Sequence, residues 1–425
     1  MICSIDLGST SFKAAIYDRD LRCLGEGAAS LVYAPVHGHE VELPVDAAET
    51  ALRDAVKNAL QNAACSAQDL KAVALSSQAQ TFTVVGLEGR ARSPFISWLD
   101  TRGEGDTRVR DALPGFENHC SLHDCVSMLM VSKVGFLQEQ GALVGDNDRL
   151  MLLPTWFAHR FTGRACVDAN LAASTGLYSL EYSDWWTAAL TTAGVALRNL
   201  PERIALGEVA ARTTSAAADF GLPANIPVVL AGNDQTAAAY AVPMAADDTL
   251  LITLGTAQVG YRVLDDMPGP VPGVIRGPYP GAKAYQMVAD DYGGVTVNWA
   301  RSILEGCASE SDFDVATSQR SATYGDLAFV LDGPAGRGRW TGVTSQTTDA
   351  DKARAVLEGL VDRLSDMIDR LGGPDAFSSI SVAGGGSHSK PWVAGLEQRL
   401  GKTLHPTSSA SPVLGGARMA LRHCV

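Results

Sequence analysis

The sequence predicts an α/β protein in two domains, with a duplicated core and a cleft between the halves. Three observations lead there. Apolar β-branched runs alternate with Ala/Leu-rich amphipathic runs along the whole chain, the pattern of an α/β protein and not of a sandwich or a bundle. At 425 residues the chain exceeds one ordinary core. A strand, a Gly/hydroxyl turn and a returning strand also occur twice, at Ile5-Asp6-Leu7-Gly8-Ser9-Thr10 and at Ile252-Thr253-Leu254-Gly255-Thr256-Ala257.

In chain order, the first such unit ends at Asp18, and residues 46–64 place apolar side chains at helical spacing. Residues 71–76 and 82–87 read as strands around a polar turn. Residues 226–231 form a short apolar strand, and the Ala-rich 234–241 is the helix that follows it. The second strand-turn-strand unit ends at Asp265. A late strand, 379–383, runs into Gly384, Gly385 and Gly386, with 389–400 as its helix. Strands 228–232 and 380–384 both end in Ala-Gly before a helix, which reads as a further echo. The domain boundary falls near residue 242, before Pro243 and Asp247-Asp248, giving domains 1–242 and 243–425.

Composition excludes several classes. The net charge of −13 opposes binding to DNA or to an anionic bilayer. No run approaches the roughly 18 apolar residues of a membrane-spanning helix. Met1 to Ile5 carry no basic leader and no small-residue cleavage site, so the cytoplasm is the expected compartment. The eight cysteines stand singly; the nearest pair, Cys120 and Cys125, lacks the spacing of a zinc or redox motif, so they read as reduced thiols that fill space. His37 and His39 alternate on one side of an extended segment and form no metal cage. Trp185 and Trp186, after Tyr182 and Asp184, read as core packing at a helix start.

The chemistry concentrates at the turns. Gly8, Ser9, Thr10, Ser11 and Lys13 bring backbone amides, hydroxyls and an ammonium into one hairpin with Asp6, an inventory suited to a polyphosphate and its metal ion. Gly255 and Thr256 supply a second clamp. There is no Gly-x-x-x-x-Gly-Lys-Ser/Thr sequence and no Gly-x-Gly-x-x-Gly after the first strand, so neither a P-loop nor a dinucleotide site is supported. Gly384, Gly385, Gly386 and Ser387, at a strand-to-helix junction, can admit adenosine; the bland alternative is a helix entry without a ligand.

Asp234, in Ala231-Gly232-Asn233-Asp234-Gln235, lies where a strand gives way to a helix, the place where open α/β sheets bind ligands. It can accept the proton of an attacking hydroxyl. The alternative is a helix N-cap, and beside the two hairpins catalysis is the better reading. Gln78 and Gln80, with Trp98, Asp100 and Arg102, offer amide, carboxylate, guanidinium and aromatic faces for a polyhydroxylated substrate. A local ion pair accounts for Asp100 and Arg102 equally well, and the two readings do not exclude each other.

Taken in order, these motifs resemble the FGGY family of carbohydrate kinases across almost the whole chain. Asp6 to Lys13 resembles its first phosphate motif, Gly232-Asn233-Asp234-Gln235 the segment of its catalytic aspartate, Leu254-Gly255-Thr256 its second phosphate loop and Gly384 to Ser387 its adenosine motif. Ser77 to Thr81, Trp98 to Arg102 and Asp168 to Gly176 fall in the expected succession. The resemblance implies a two-domain, actin-like (ribonuclease H-like) ATPase fold, with the sugar and the base Asp234 in domain 1–242 and ATP in domain 243–425. It implies ATP and Mg²⁺, with Asp6 at the metal, and a ketose or linear polyol as phosphate acceptor. Ala79 and Gln80 stand where xylulokinases resemble Met-His and glycerol kinases Arg-Glu, while Gln235 is nearer the glycerol-kinase pattern, so the sugar is left open. The chain is shorter than typical members, with trimmed insertions expected around 265–285 and 305–340. Expected partners are a small sugar or polyol and, at most, a second copy in a homodimer. Two other classes fit part of the pattern: an actin- or Hsp70-like nucleotide switch, against which the polar set around Gln78 speaks, and a non-catalytic sugar sensor.

Overall fold

The alternation of buried residues in Ile2–Leu7 sets the architecture of the first half of the chain. Cys3, Ile5 and Leu7 point to one side, where they meet Ala48, Leu52, Ala55, Val56 and Ala59 of the helix Val45–Asn62. Ile2 points to the other side and packs with Val413, Ala417, Met419 and Ala420 of the helix Pro412–Leu421. A strand sandwiched in this way is the centre of a three-layer α/β unit.

The computed structural model describes residues 1–104, 111–122, 129–141, 143–243, 248–318, 326–333 and 336–424. Cys125 and Asp247 lie outside the described residues. The chain divides into two compact units: Met1–Pro243 with Arg276–Ala284 and Ala410–Val425, and Met244–Ile275 with Tyr285–Ser409. The second unit is therefore not the continuous stretch 243–425, because the chain returns twice to the first.

The sheet of the first unit runs in the order Val209–Arg212, Pro227–Asn233, Ala72–Ser77, Ile2–Leu7, Ser11–Tyr17, Cys23–Ser30. Ile2–Leu7 is antiparallel to Ser11–Tyr17 and parallel to Ala72–Ser77, which is in turn parallel to Pro227–Asn233. Three parallel strands thus end on one edge, where their C-terminal residues Leu7, Ser77 and Asn233 lie side by side and Asp6 stands one residue back, opposite Ser76. The helix Asp234–Ala241 begins there. It is crossed closely by Pro412–Leu421, because a Cβ at Gly415 would collide with the carbonyl of Ala237 and one at Gly416 would stand 2.5 Å from Ser4 Oγ. A smaller sheet of Glu42–Leu43, Phe95–Ile96, Phe82–Val85 and Arg149–Leu152 has its own core around Met130, Val131 and Val134 of the helix Met130–Gly141.

In the second unit, Gln258–Leu264, Thr249–Leu254, Ser379–Ala383 and Leu404–Pro406 lie in that order. Thr249–Leu254 is antiparallel to Gln258–Leu264 and parallel to Ser379–Ala383. This repeats the hairpin and its parallel neighbour in the first unit, as the paired hairpin motifs predict. The further echo is corrected: Ser379–Ala383 adjoins the hairpin as Ala72–Ser77 does, so its counterpart is not Pro227–Asn233, which stands one strand further out. Among the described residues all seven cysteines are unpaired, and no helix is long and apolar enough to cross a membrane. Trp186 is buried and stacks on His119 with ring centroids 4.2 Å apart, as core packing requires.

Candidate functional site

In the first unit the hairpin turn is built from its backbone outward. Gly8 is required by crowding, since a Cβ there would lie 2.9 Å from the carbonyl oxygen of Ser11. The turn is tied down on both flanks: Tyr33 donates its hydroxyl hydrogen to the Ser9 carbonyl at 2.8 Å, and the Leu31 amide donates to Thr10 at 3.0 Å. Thr10 and Lys13 remain exposed. Asp6, nearly buried, accepts from Ser76 Oγ at 2.9 Å and sits opposite Lys13 across the hairpin. Burial raises its pKa above the usual carboxylate range, against the lowering effects of Ser76 and Lys13.

Asp234 follows the end of the neighbouring strand. Asn233 takes the cap position of the helix, its Oδ1 accepting from the Thr236 amide at 2.7 Å. Asp234 is therefore the first helical residue and not the cap; its Oδ1 accepts from the Gln235 amide at 2.8 Å. Burial, and next the nearby charge of Asp6, push its pKa up to about 7, while the amide and side chain of Gln235 oppose the shift. A carboxylate so placed is half-ionised near neutrality, the condition for proton acceptance at ordinary pH.

Most of the polar set beyond Ser77 is engaged by the scaffold. Gln78 belongs to the scaffold: its Nε2 donates to the Gly8 carbonyl at 3.1 Å, and its Oε1 accepts from Thr81 Oγ1 at 3.2 Å. Gln80 holds a left-handed φ of +64°, a strained conformation for a side chain of this size. Its Oε1 accepts from the Met130 amide at 3.1 Å. Trp98 is half-buried, its amide bound to Thr81 Oγ1 at 3.1 Å. Asp100 and Arg102 form the local ion pair, with Nη2 to Oδ2 at 2.7 Å; Arg102 reaches Glu42 as well, also at 2.7 Å, and Asp100 accepts the Val41 amide. These two residues brace the loop that carries Trp98.

Two further buried residues support the site, Lys133 outside every sequence motif and Asp168 at the head of the segment 168–176. Lys133 is fully buried and donates from Nζ to the carbonyls of Ser97 and Trp98, at 3.1 and 2.8 Å; burial lowers its pKa to about 8. Asp168, also fully buried, caps the short helix Ala169–Ala173 through the Leu171 amide at 3.0 Å, and burial raises its pKa to about 6. Only its partners reveal Lys133, and they lie 36 and 35 positions away in sequence.

In the second unit the glycine turns converge. The Gly294 amide donates to Gly255 at 2.8 Å and the Val295 amide to Thr256 at 3.1 Å. Gly384 has φ +88°, and a Cβ there would stand 2.5 Å from the Leu254 carbonyl. A cavity of about 330 Å³ opens between these turns, lined by Gly255, Thr256, Gly385 and Gly386 together with Asn298, Arg301, Phe313, Asp314 and Trp392. Its floor is the Trp392 ring, 2.7 Å from where a Gly386 Cβ would be. Ser389 Oγ donates to Asp314 Oδ1 at 2.6 Å and fixes the wall. Gly384 and Ser387 are not in the lining; they shape the turn, with Ser387 Oγ donating to the Gly384 carbonyl at 2.6 Å. A larger concavity, about 500 Å³, is lined by Arg354, Glu358, Asp362 and Arg399, whose charges pair with one another, and it contains none of the glycine turns.

Comparison with known proteins agrees with this geometry. Residues 1–241 match the profile of the FGGY family of carbohydrate kinases, N-terminal domain, and residues 322–424 match the C-terminal domain. A xylulose kinase of Escherichia coli is 24% identical over 370 residues, covering 84% of this chain and 76% of that protein. A glycerol kinase of Agrobacterium fabrum is 25% identical over 463 residues, covering 99% and 89%. The crystal structure of a ligand-bound xylulose kinase from Lactobacillus acidophilus superposes with a TM-score of 0.89 at 19% identity, covering 100% of this chain and 89% of that one.

Proposed function

This chain belongs to the FGGY family of carbohydrate kinases and is a sugar or polyol kinase, and from that premise we propose that it phosphorylates a hydroxyl of a small, xylulose-like ketose or a linear polyol, with Asp234 as general base. Kinases of this family use ATP. The hydroxyl oxygen bonds to the γ-phosphorus, the bond to the β–γ bridging oxygen breaks, ADP leaves, and the hydroxyl proton passes to Asp234. The observation that carries this reading is a carboxylate at the end of a parallel strand, not engaged in capping, with its pKa raised to about 7 beside the Asp6 hairpin.

The remaining roles belong to the same proposal. Gly8, Ser9, Thr10, Ser11 and Lys13 take phosphate oxygens from one turn, and Gly255 and Thr256 from another. Gly385 and Gly386, above the Trp392 floor, admit adenosine. Trp98, Gln80 and Gln235 face the sugar, while Gln78, Asp100 and Arg102 hold the loops that present them. Among the described residues no group of three or more His, Cys, Asp or Glu is placed to hold a metal. The residues still fit Mg²⁺ carried by a nucleotide, because such an ion needs only one or two carboxylates. The charge of Asp6 raises the proton affinity of Asp234, as an unneutralised neighbour does, and Asp6 would hold the ion, which when bound neutralises phosphate charge. We propose the cytoplasm as its compartment, since ATP is available there.

The test is ADP release from ATP and Mg²⁺ with a panel of pentuloses, heptuloses and polyols. Release that depends on one of them is expected. Equal release with and without every compound would overturn the proposal.

A further inference from the structure

The strand that leads to Asp234 does not reach it in regular pairing. Against Ala72–Ser77 the register runs Val228 to Val73, Val229 to Ala74, Leu230 to Leu75 and then Asn233 to Ser77, so Ala231 and Gly232 together oppose Ser76. This is a bulge, a device that re-aims the residues beyond it. Gly232 adopts φ +77°, and a Cβ there would stand 3.0 Å from Asn170 Oδ1 and 2.9 Å from the Leu206 side chain. Glycine is thus required for the strand to press against Asn170.

The amide of Asn170 uses that contact fully. Its Oδ1 accepts from the Asn233 backbone amide at 2.9 Å. Its Nδ2 donates to Thr236 Oγ1 at 3.1 Å and to the Pro278 carbonyl at 2.9 Å. Asn170 is buried and sits on the short helix capped by Asp168. One side chain therefore grips the residue before Asp234 and the residue two positions after it, and anchors both to the returning segment Arg276–Ala284 of the same unit. The Asp234 carboxylate accepts from the amide of its neighbour Gln235, so its direction follows the backbone that Asn170 holds. Only an amide supplies one acceptor and two donors at this reach; serine is too short, and alanine has neither.

We infer that Asn170 is a positioning residue for the phosphoryl-transfer step: by bridging Asn233, Thr236 and Pro278 it fixes the bulge and the first helical turn, and so aims the Asp234 carboxylate at the acceptor hydroxyl. This rests on the reading of Asp234 as general base. A misplacement of about 1 Å at such a group costs on the order of 100-fold in rate.

The experiment measures kcat against pH, together with KM for ATP and for the sugar, in the wild type, Asn170→Ala, Asn170→Ser and Asp234→Asn. In both Asn170 variants kcat should fall about 10- to 100-fold, with KM for ATP unchanged. The acid limb of the pH profile should move below that of the wild type, since a loosened turn admits water to Asp234. Wild-type kcat and an unmoved limb in Asn170→Ala would overturn the inference even if its melting temperature fell, because that is the pattern of a merely structural residue. Should Asn170→Ala not fold, the same readings on Asn170→Ser decide. Asp234→Asn separates the two ideas: wild-type turnover there removes the base and the positioning role together, whereas a dead Asp234→Asn beside unaffected Asn170 variants removes the positioning role alone.

Discussion

Asn233 caps the helix that Asp234 begins, with Asn233 Oδ1 accepting the Thr236 amide at 2.7 Å. The division of labour between these neighbours leaves the Asp234 carboxylate available for chemistry. Replacing it should therefore remove turnover and leave the helix intact. Asp234→Asn is expected to lower kcat by about 100- to 10,000-fold, the range for loss of a general base, while ATP affinity, measured by calorimetry, stays at the wild-type value.

The same substitution should stabilise the protein at high pH. The Asp234 pKa is about 7 in the folded chain and about 3.9 in an unfolded one. Between these values the native state holds the extra proton, so stability falls as pH rises from about 4 to 7 and stays reduced above. Asp234→Asn removes that loss, and its melting temperature should exceed the wild type's by more at pH 8 than at pH 5. An equal difference at both pH values would contradict the raised pKa.

Activity should rise with pH through about 7, as the base becomes ionised. Burial is the larger cause of the shift and the Asp6 charge the second. Asp6→Asn should therefore move the Asp234 titration downward without returning it to the ordinary carboxylate range. Carbon-13 NMR titration of the Asp234 carboxyl group reads this directly, even if Asp6→Asn is inactive.

Adjacent glycines in the second unit should respond differently. Gly384 combines φ +88° with a backbone oxygen 2.5 Å from its missing Cβ, so Gly384→Ala should cost about 1–3 kcal/mol or more in urea unfolding. Gly385 has open space around it but lines the cavity. Gly385→Ala should keep its stability within about 0.5 kcal/mol and raise KM for ATP.

Lys133 gives a prediction of opposite sign from that for Asp234. Its pKa, about 8, lies below the ordinary lysine value of 10.5, so between those values the unfolded chain binds more protons and stability rises with pH. Lys133→Met should abolish this gain between pH 8 and 10 in urea unfolding. It should also raise KM for the sugar and leave KM for ATP unchanged, because the carbonyls of Ser97 and Trp98 lose their donor.

Much of this arrangement was legible in the sequence, for reasons that are local. The hairpins show because a Gly/hydroxyl turn between apolar runs has few other conformations, and the strand and helix around Asp234 appear where apolar periodicity and alanine content place them. The capping residue was not legible, since Asn and Asp are both favoured caps and stand adjacent. Gln78, Asp100 and Arg102 show the limit most clearly. Their chemistry suits a sugar, yet Gln78 is bound to Gly8 and Arg102 to Glu42, partners 70 and 60 positions away. Asn170, Lys133 and Asp314 were missed for the same reason: each acquires its meaning from a carbonyl, amide or hydroxyl that only the folded chain brings near.

The helix Pro412–Leu421 covers a face made by Ile2, Ala15, Ala72, Ala74 and Val229. A ribosome making this protein therefore releases the opening strands long before their cover exists. Until residues 412–421 emerge, that oily surface must be shielded by something else or stay uncollapsed, so the unit bearing the proposed base matures only after the intervening second unit has been made.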